Sequence, residues 1–155
     1  QISADVNTNS QKYESELQKA RNFDKKNSLY PIALARIYLA DLKKETKKAP
    51  SDQSISNIKD LTKKTLDNAI LATELSPNSV AAWELRASVY RDIYFVANDA
   101  GKAMLDAFQR AVSLEPANPI LATELGKAYS RNGDFDNAAK EFNRALELKK
   151  EYEDA

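Results

Sequence analysis

Residues 98–102, with the sequence NDAGK, are the part of the chain most similar to a nucleotide-binding loop, because a glycine is followed there by a lysine. A phosphate-binding loop also needs a second glycine upstream and a serine or threonine directly after the lysine. Neither is present in this stretch. We therefore predict an ordinary turn between two helices at these residues.

The best candidates for a carboxylate pair in acid–base chemistry are Glu151, Glu153 and Asp154. Such chemistry requires an apolar pocket that raises one carboxyl pKa, whereas these three residues lie in a polar terminal stretch. No stretch has the alternating oxygen ligands of a calcium loop. The chain has no Cys and no His, so it has no disulfide, thiolate ligand or imidazole base. The sequence predicts a protein without catalytic activity, metal or cofactor.

Composition further limits the function. The 23 basic and 23 acidic residues cancel, so no overall charge favours nucleic acid. No apolar run approaches about 18 residues, so we expect no membrane insertion by this segment. A chain of 155 residues rich in Ala, Leu, Lys and Glu fits one all-α domain. Because Gln1 stands first, we expect a fragment or a processed chain, and the compartment stays open.

Residues 118–150 contain two amphipathic stripes with helical spacing, separated by a short turn. The residues of the first stripe are Leu121, Leu125, Ala128 and Tyr129. The residues of the second stripe are Ala138, Phe142, Ala145, Leu146 and Leu148. A turn this short makes the two helices antiparallel, so the sequence predicts a helical hairpin.

Local end signals support this hairpin. Asn118 is a suitable N-cap and Pro119 suits the first helical position. Gly133 can adopt the left-handed conformation that ends a helix, and Asp134 can cap the next one. The four signals occur in the order that a hairpin requires.

The same residues resemble the tetratricopeptide repeat (TPR), a helix-turn-helix unit of about 34 residues. The positions that match its signature are Leu125, Gly126, Tyr129, Gly133, Ala138, Phe142 and Ala145. Gly126 and Ala138 are expected where the two helices approach most closely. Ala122 and Lys150 depart from the usual Trp and Pro.

The repeat signature recurs along the chain. One signature position is occupied by Ala20, Ala72, Ala111 and Ala145, and another by Phe23, Leu75, Leu114 and Leu148. The resemblance implies an α-solenoid of TPR hairpins in a single domain, 1–155, with about three repeats. The segments are an N-terminal helix at 10–23, a stretched repeat at 28–77, a repeat with an insertion at 79–116, and a third repeat at 118–151. The first helix is interpreted as a cap or as a truncated repeat, and residues 1–9 as frayed or partly helical. The insertion is expected to lengthen the helix that begins near residue 79, to about residue 97, together with its turn.

The TPR resemblance implies a protein–protein interaction scaffold that binds a peptide or partner segment in a concave groove. By motif position, the concave residues are Ile32, Arg36, Leu39, Glu84, Ser88, Arg91, Thr123, Lys127 and Arg131. They do not reproduce the Lys and Asn clamp with which some family members hold a terminal carboxylate. Four of them are cations, which favours an acidic partner, although cations on such a surface also serve solubility.

Two other functions stay open. The stretched first repeat, WELRASVYRDI and the ending ELKKEYEDA are similar to repeat domains appended to bacterial O-antigen polymerase and ligase-like membrane proteins. This resemblance implies an extracytoplasmic accessory domain within a larger membrane protein. The second possibility is a structural spacer that binds nothing in its groove. The Lys-rich residues 43–53 are interpreted as a solvated loop, with binding of an anionic partner as the alternative.

Overall fold

The described part of the chain forms seven α-helices. The computed structural model describes residues 2–94, 97 and 99–153, and no β-strand occurs among them. The helices are α1 (Ile2–Phe23), α2 (Leu29–Glu45), α3 (Asp52–Leu75), α4 (Val80–Asp92), α5 (Ala100–Leu114), α6 (Pro119–Arg131) and α7 (Phe135–Glu153). The predicted all-α class is confirmed.

The helices divide into two compact units, 1–76 and 77–155. In the first unit α2 and α3 form a hairpin, and α1 packs against α2. In the second unit α4 pairs with α5 and α6 pairs with α7, and α5 packs against α6. Each hairpin lies inside one predicted repeat, while the arrangement of all repeats as one domain stays a prediction.

Two helix boundaries differ from the expected ones. α1 begins at Ile2, so most of residues 1–9 are helical. α4 ends at Asp92, well before residue 97, because Ile93 leaves the helical conformation at φ −101° and ψ 14°. Residues 93 and 94 of the insertion therefore belong to the connection between α4 and α5, whereas 95, 96 and 98 lie outside the described residues.

Polar contacts hold α1 on its unit. The Tyr38 hydroxyl donates to Glu14 Oε1 at 2.8 Å and accepts from Gln18 Nε2 at 2.9 Å. Burial, together with the Glu14 carboxylate, raises the pKa of Tyr38. Two large apolar side chains of α1 remain accessible, since Tyr13 is 58% exposed and Phe23 is 96% exposed.

A buried apolar core joins α4, α5 and α6 of the second unit. This buried cluster includes Phe108 and Val112 on α5 and Leu121, Leu125 and Ala128 on α6. Along α7, Ala138 and Ala145 are buried as expected. Phe142 and Leu146 were expected in the same stripe, but Phe142 is 36% exposed and Leu146 is 61% exposed.

The predicted end signals of the last hairpin are confirmed. The Asn118 side chain accepts from the amides of Ile120 and Leu121, with Pro119 at the first helical position. The Asp134 carboxylate accepts from the Asn137 amide at 3.1 Å, and Gly133 has φ +79°. The side-chain and backbone N–H groups of Asn137 lower the pKa of Asp134.

The turn that follows α6 also contacts the start of α5. The Asn132 Nδ2 atom donates to the Gly101 carbonyl oxygen at 2.9 Å. The Tyr94 hydroxyl lies 3.1 Å from Asn132 Oδ1 and 3.2 Å from the Arg131 carbonyl oxygen. A β-carbon on Gly101 would clash with the Asn132 side chain, so only glycine permits this approach.

We expect Gly133→Ala to lower the free energy of unfolding by about 1 kcal/mol, because an L-residue is strained in the left-handed region. No atom lies within 4 Å of an added β-carbon at Gly133, so the loss would come from the backbone and not from a clash. Urea denaturation followed by circular dichroism measures it. Gly133→Asn is the control and should lose less, because Asn tolerates this conformation. Equal stability of Gly133→Ala and the parent protein would contradict the prediction.

Candidate partner-binding site

The three predicted binding residues of the first unit differ in accessibility. Ile32 and Leu39 are each only 9% exposed, so both belong to the core of that unit. Arg36, between them on α2, is exposed. Because Ile32 and Leu39 offer a partner almost no accessible surface, we exclude both residues from the binding site.

The six predicted residues of the second unit are accessible to different extents. Glu84, Ser88, Arg91 and Thr123 are half-buried, and Lys127 and Arg131 are exposed. Arg91 lies in the last turn of α4, and the other two cations lie on α6. These three cations are the predicted residues that the fold brings together.

Glu124 joins two of the three cations. Its Oε2 atom lies 2.9 Å from Arg91 Nη1, and its Oε1 atom lies 2.6 Å from Lys127 Nζ. Lys127 is one helical turn beyond Glu124, whereas Arg91 reaches it from α4. The carboxylate side chain keeps 22% of its surface exposed, so water and solutes can reach the pair.

Arg131 is held in place by the end of α4. Its Nη1 atom donates to the Arg91 carbonyl oxygen at 2.9 Å. Its guanidinium carbon lies 5.4 Å from the centroid of the Tyr94 ring, within cation–π range. A cation at a helix C-terminus also interacts favourably with the helix dipole. Arg131 is therefore fixed beside the other two cations.

A cavity of about 470 Å³ opens beside this cluster. Its lining residues are Arg91, Met104, Phe108, Glu124, Lys127, Ala128, Ser130, Arg131 and Phe142. Three cations and one carboxylate give it a formal charge of +2. The almost fully buried Met104 and Phe108 form its apolar side. We call this cavity with its charged edge the cationic pocket. It can accommodate an apolar side chain with a carboxylate beside it.

Two polar residues of the pocket were absent from the predicted site. Ser130 lies 39 positions after Arg91, the same offset that separates Tyr90 from Tyr129. That repeat offset marks Ser130, and not Arg131, as the counterpart of Arg91. Glu124 lies three positions before Lys127, a spacing at which opposite charges meet on a helix. Both signals are present in the sequence.

The other stretches that could carry chemistry have structural roles or lie beyond the described part. The turn predicted at residues 98–102 is confirmed for Asp99, which has φ +62°, but residues 100–102 form the start of α5. Gly101, the second residue of α5, contacts Asn132. Asn98 and the side chains of Glu151, Glu153 and Asp154 lie outside the described residues. Within the described residues, no cluster of metal-ligating side chains occurs, and no helix is long and apolar enough to cross a membrane.

The loop predicted at the Lys-rich segment, residues 43–53, is shorter in the structure: 43–45 end α2, 52–53 begin α3, and only 46–51 connect the two helices. Lys44 Nζ lies 2.9 Å from Asp41 Oδ1, and Lys48 Nζ lies 2.6 Å from Glu45 Oε2. Hydrogen bonds from Lys48 and Asn57 lower the pKa of Glu45. Part of the positive charge of this segment is thus already paired within the chain.

Comparison with known proteins supports the repeat interpretation. Residues 120–152 match the family model of the tetratricopeptide repeat. The chain is similar in fold to the MamA RS-1 ArsTM double mutant, with a TM-score of 0.70, 16% identity, and coverage of 97% of this chain and 72% of that one. It is also similar to TTC0263, a thermophilic TPR protein in Thermus thermophilus, with a TM-score of 0.66, 17% identity, and coverage of 87% and 63%.

A third similar structure is MamA 41-end from Desulfovibrio magneticus RS-1, with a TM-score of 0.53, 16% identity, and coverage of 92% and 86%. No curated protein sequence matches the chain significantly. At these identities the similarity establishes the fold alone, which is that of TPR α-solenoid proteins. Proteins with this fold are generally non-catalytic scaffolds for protein–protein interaction.

Proposed function

We propose, from its tetratricopeptide repeat fold, that this chain is a non-catalytic scaffold whose cationic pocket binds an acidic segment of a partner protein. The observation that supports this proposal is the convergence of Arg91, Lys127 and Arg131 at the edge of a cavity with an apolar side. A partner with a carboxylate next to a large apolar side chain fits both parts of the pocket.

The charge balance of the pocket sets how such a partner binds. Glu124 already pairs with Arg91 and Lys127, so an incoming carboxylate competes with it for both cations. Arg91 and Lys127 keep 37% and 61% of their side-chain surfaces exposed, which lets them turn toward a ligand. Exposed ion pairs are weak, so this competition costs little. Glu124 thereby limits the affinity for acidic partners.

Selection from a random peptide display library tests the proposal. We expect the selected peptides to be enriched in acidic residues next to a large apolar residue. For one selected peptide, the joint reversal Arg91→Glu and Lys127→Glu should lower the association rate by about tenfold or more, because charges at the edge of a site steer the encounter. Affinity should also fall as salt shortens the Debye length from about 10 Å at 0.1 M.

Glu124→Gln provides the opposite change in the same pocket. Removing this carboxylate charge releases Lys127 and leaves Arg91 only the longer 3.7 Å contact with Asp92, so we expect affinity for the selected peptide to rise about two- to fivefold. The control reverses Lys43, Lys44, Lys47 and Lys48 to Glu in the Lys-rich segment. Loss of binding on that reversal, with no effect of the pocket variants, would move the site to the segment. A selection without acidic enrichment would contradict the proposal.

A second candidate function is the extracytoplasmic accessory domain of a bacterial polysaccharide polymerase or ligase-like membrane protein. It rests on the resemblance of the stretched first repeat and of the WELRASVYRDI and ELKKEYEDA stretches. An antibody raised against the chain can decide it by immunoblotting of fractionated cells that express the gene. A membrane-embedded product much larger than 17.3 kDa supports this candidate, and a free protein of 17.3 kDa contradicts it.

A further inference from the structure

Asn132 and Gly133 form the one Asn-Gly step of the sequence, in the turn between α6 and α7. Asparagine is chemically labile, because its side-chain amide can react with the backbone nitrogen of the next residue. Glycine hinders that approach least, since it has no β-carbon. The reaction is deamidation, which converts asparagine to aspartate or isoaspartate. Among the asparagines of this chain, Asn132 therefore has the following residue that favours deamidation most.

The chemical step at Asn132 consumes only water. The Gly133 nitrogen loses its proton and bonds to Asn132 Cγ, which closes a succinimide ring. The Cγ–Nδ2 bond breaks, and Nδ2 leaves as ammonia with that proton. Water then adds to either carbonyl carbon of the ring and breaks its bond to nitrogen, which gives aspartate or isoaspartate.

In the folded chain, hydrogen bonds occupy both reacting groups. Asn132 Nδ2 donates to the Gly101 carbonyl oxygen at 2.9 Å, and the Tyr94 hydroxyl donates to Asn132 Oδ1 at 3.1 Å. The Gly133 N–H donates to the Ser130 carbonyl oxygen at 3.1 Å. The side-chain amide is thus held at the start of α5, and the attacking nitrogen keeps its proton in a hydrogen bond.

The backbone conformation of Asn132 also keeps the reacting atoms apart. Ring closure requires Asn132 Cβ and the Gly133 nitrogen to be nearly eclipsed about the Cα–C bond. At φ −86° and ψ 3°, Asn132 ends α6 in a conformation that turns this nitrogen away from Cβ. The two atoms can meet only when a local opening releases the side chain and rotates ψ.

We propose that Asn132 is a deamidation site, that its contact with Gly101 and Tyr94 keeps it unreactive in the folded chain, and that the reaction breaks this contact. An ionised carboxylate accepts hydrogen bonds but donates none. Aspartate at this position leaves the Gly101 carbonyl oxygen without its donor and places a negative charge beside it. The turn after α6 then separates from the start of α5. Because the ammonia is lost, a transient opening becomes permanent.

Incubation of the intact chain in mildly alkaline buffer, followed by peptide mapping with mass spectrometry, measures the rate of deamidation at Asn132. A synthetic peptide with the sequence of residues 128–136 gives the rate without protection. We expect the folded chain to react at least about tenfold more slowly than the peptide, because its reaction requires a local opening. Equal rates in the folded chain and the peptide would overturn the proposal.

Tyr94→Phe tests the protecting contact in the same assay. It removes the hydroxyl but keeps the ring that lies beside the Arg131 guanidinium. The loss of one hydrogen bond should raise the deamidation rate of Asn132 about two- to tenfold. Tyr129→Phe is the matched control, because its hydroxyl accepts from Gln109 instead, and should leave the rate unchanged. No rise in Tyr94→Phe, or an equal rise in both variants, would overturn the proposal.

Asn132→Asp carries the product of the reaction from the start. We expect a lower urea midpoint than in the parent chain, measured by circular dichroism at neutral pH. Asn132→Ala removes the donor without adding a charge, so its midpoint should lie between the two. A midpoint of Asn132→Asp equal to that of the parent chain would show that deamidation does not break the contact, which would overturn that part of the proposal.

Discussion

Phe108→Ala is expected to lower the free energy of unfolding by about 3–5 kcal/mol, the cost of a large cavity in a closed core. Phe108 is 2% exposed and lies in the cluster shared by α5 and α6. Phe142→Ala, the same change at the equivalent position of the next repeat, should cost only about 2 kcal/mol or less. Phe142 is 36% exposed, so less apolar surface returns to water when the second unit unfolds.

Urea denaturation followed by circular dichroism compares the two variants directly. Both substitutions replace a Phe by Ala at the same position in the second helix of a hairpin. The difference between their losses of unfolding free energy therefore measures how much α6 buries Phe108. Lys140→Ala on the exposed face of α7 is the control and should leave the free energy of unfolding almost unchanged. If the two Phe variants lose the same stability, α6 does not cover α5 as the structure shows.

Gly126→Leu is expected to lower the free energy of unfolding by about 1–3 kcal/mol, because the side chain overpacks the contact between α6 and α7. Gly126 is buried, and a β-carbon placed there would lie 2.7 Å from Phe142 Cε1. The α6 backbone thus contacts the Phe142 ring directly. A leucine must displace that ring and open the contact between the two helices.

A double-mutant cycle with Phe142→Ala isolates this contact. Once the ring is absent, a leucine at Gly126 has room, so the second substitution should cost far less than in the parent protein. The coupling energy between the two sites should therefore be about 1 kcal/mol or more. Strictly additive losses in the same denaturation assay would show that the ring and the glycine do not touch.

Much of the fold could be predicted because its signals are local. Asn118, Gly133 and Asp134 act on their own helix ends through caps and a left-handed turn, which need no distant partner. Other packing is not readable from local signals: Leu85 is 7% exposed, whereas its neighbour Arg86 is only partly buried. The Arg86 guanidinium carbon lies 5.4 Å from the Trp83 ring centroid, a packing solution that periodicity alone does not reveal.

The site was less predictable because it depends on burial and on pairing between helices. Motif position placed Ile32 and Leu39 on a binding face, but apolar side chains gain free energy by leaving water, and both are buried. Arg91 and Lys127 were predicted as cations of the concave face, without a shared partner. The i, i+3 spacing indicates that Glu124 pairs with Lys127, but its pairing with Arg91 depends on α4 and α6 lying side by side. The exposure of Leu146 likewise depends on what packs on α7.

The contact of Asn132 with Gly101 and Tyr94 has a consequence for engineering this protein. Tyr94 belongs to the extra residues of the second repeat, and it hydrogen-bonds to the turn of the third repeat. The third repeat therefore cannot be moved to another protein without losing these contacts. Shortening the second repeat to the consensus length would remove the hydrogen bonds of Tyr94 to the turn of the third repeat. A consensus third repeat without Asn132 would leave the Gly101 carbonyl without this donor. Sequence drift in either repeat is constrained by the other, so the two repeats must be redesigned as a pair.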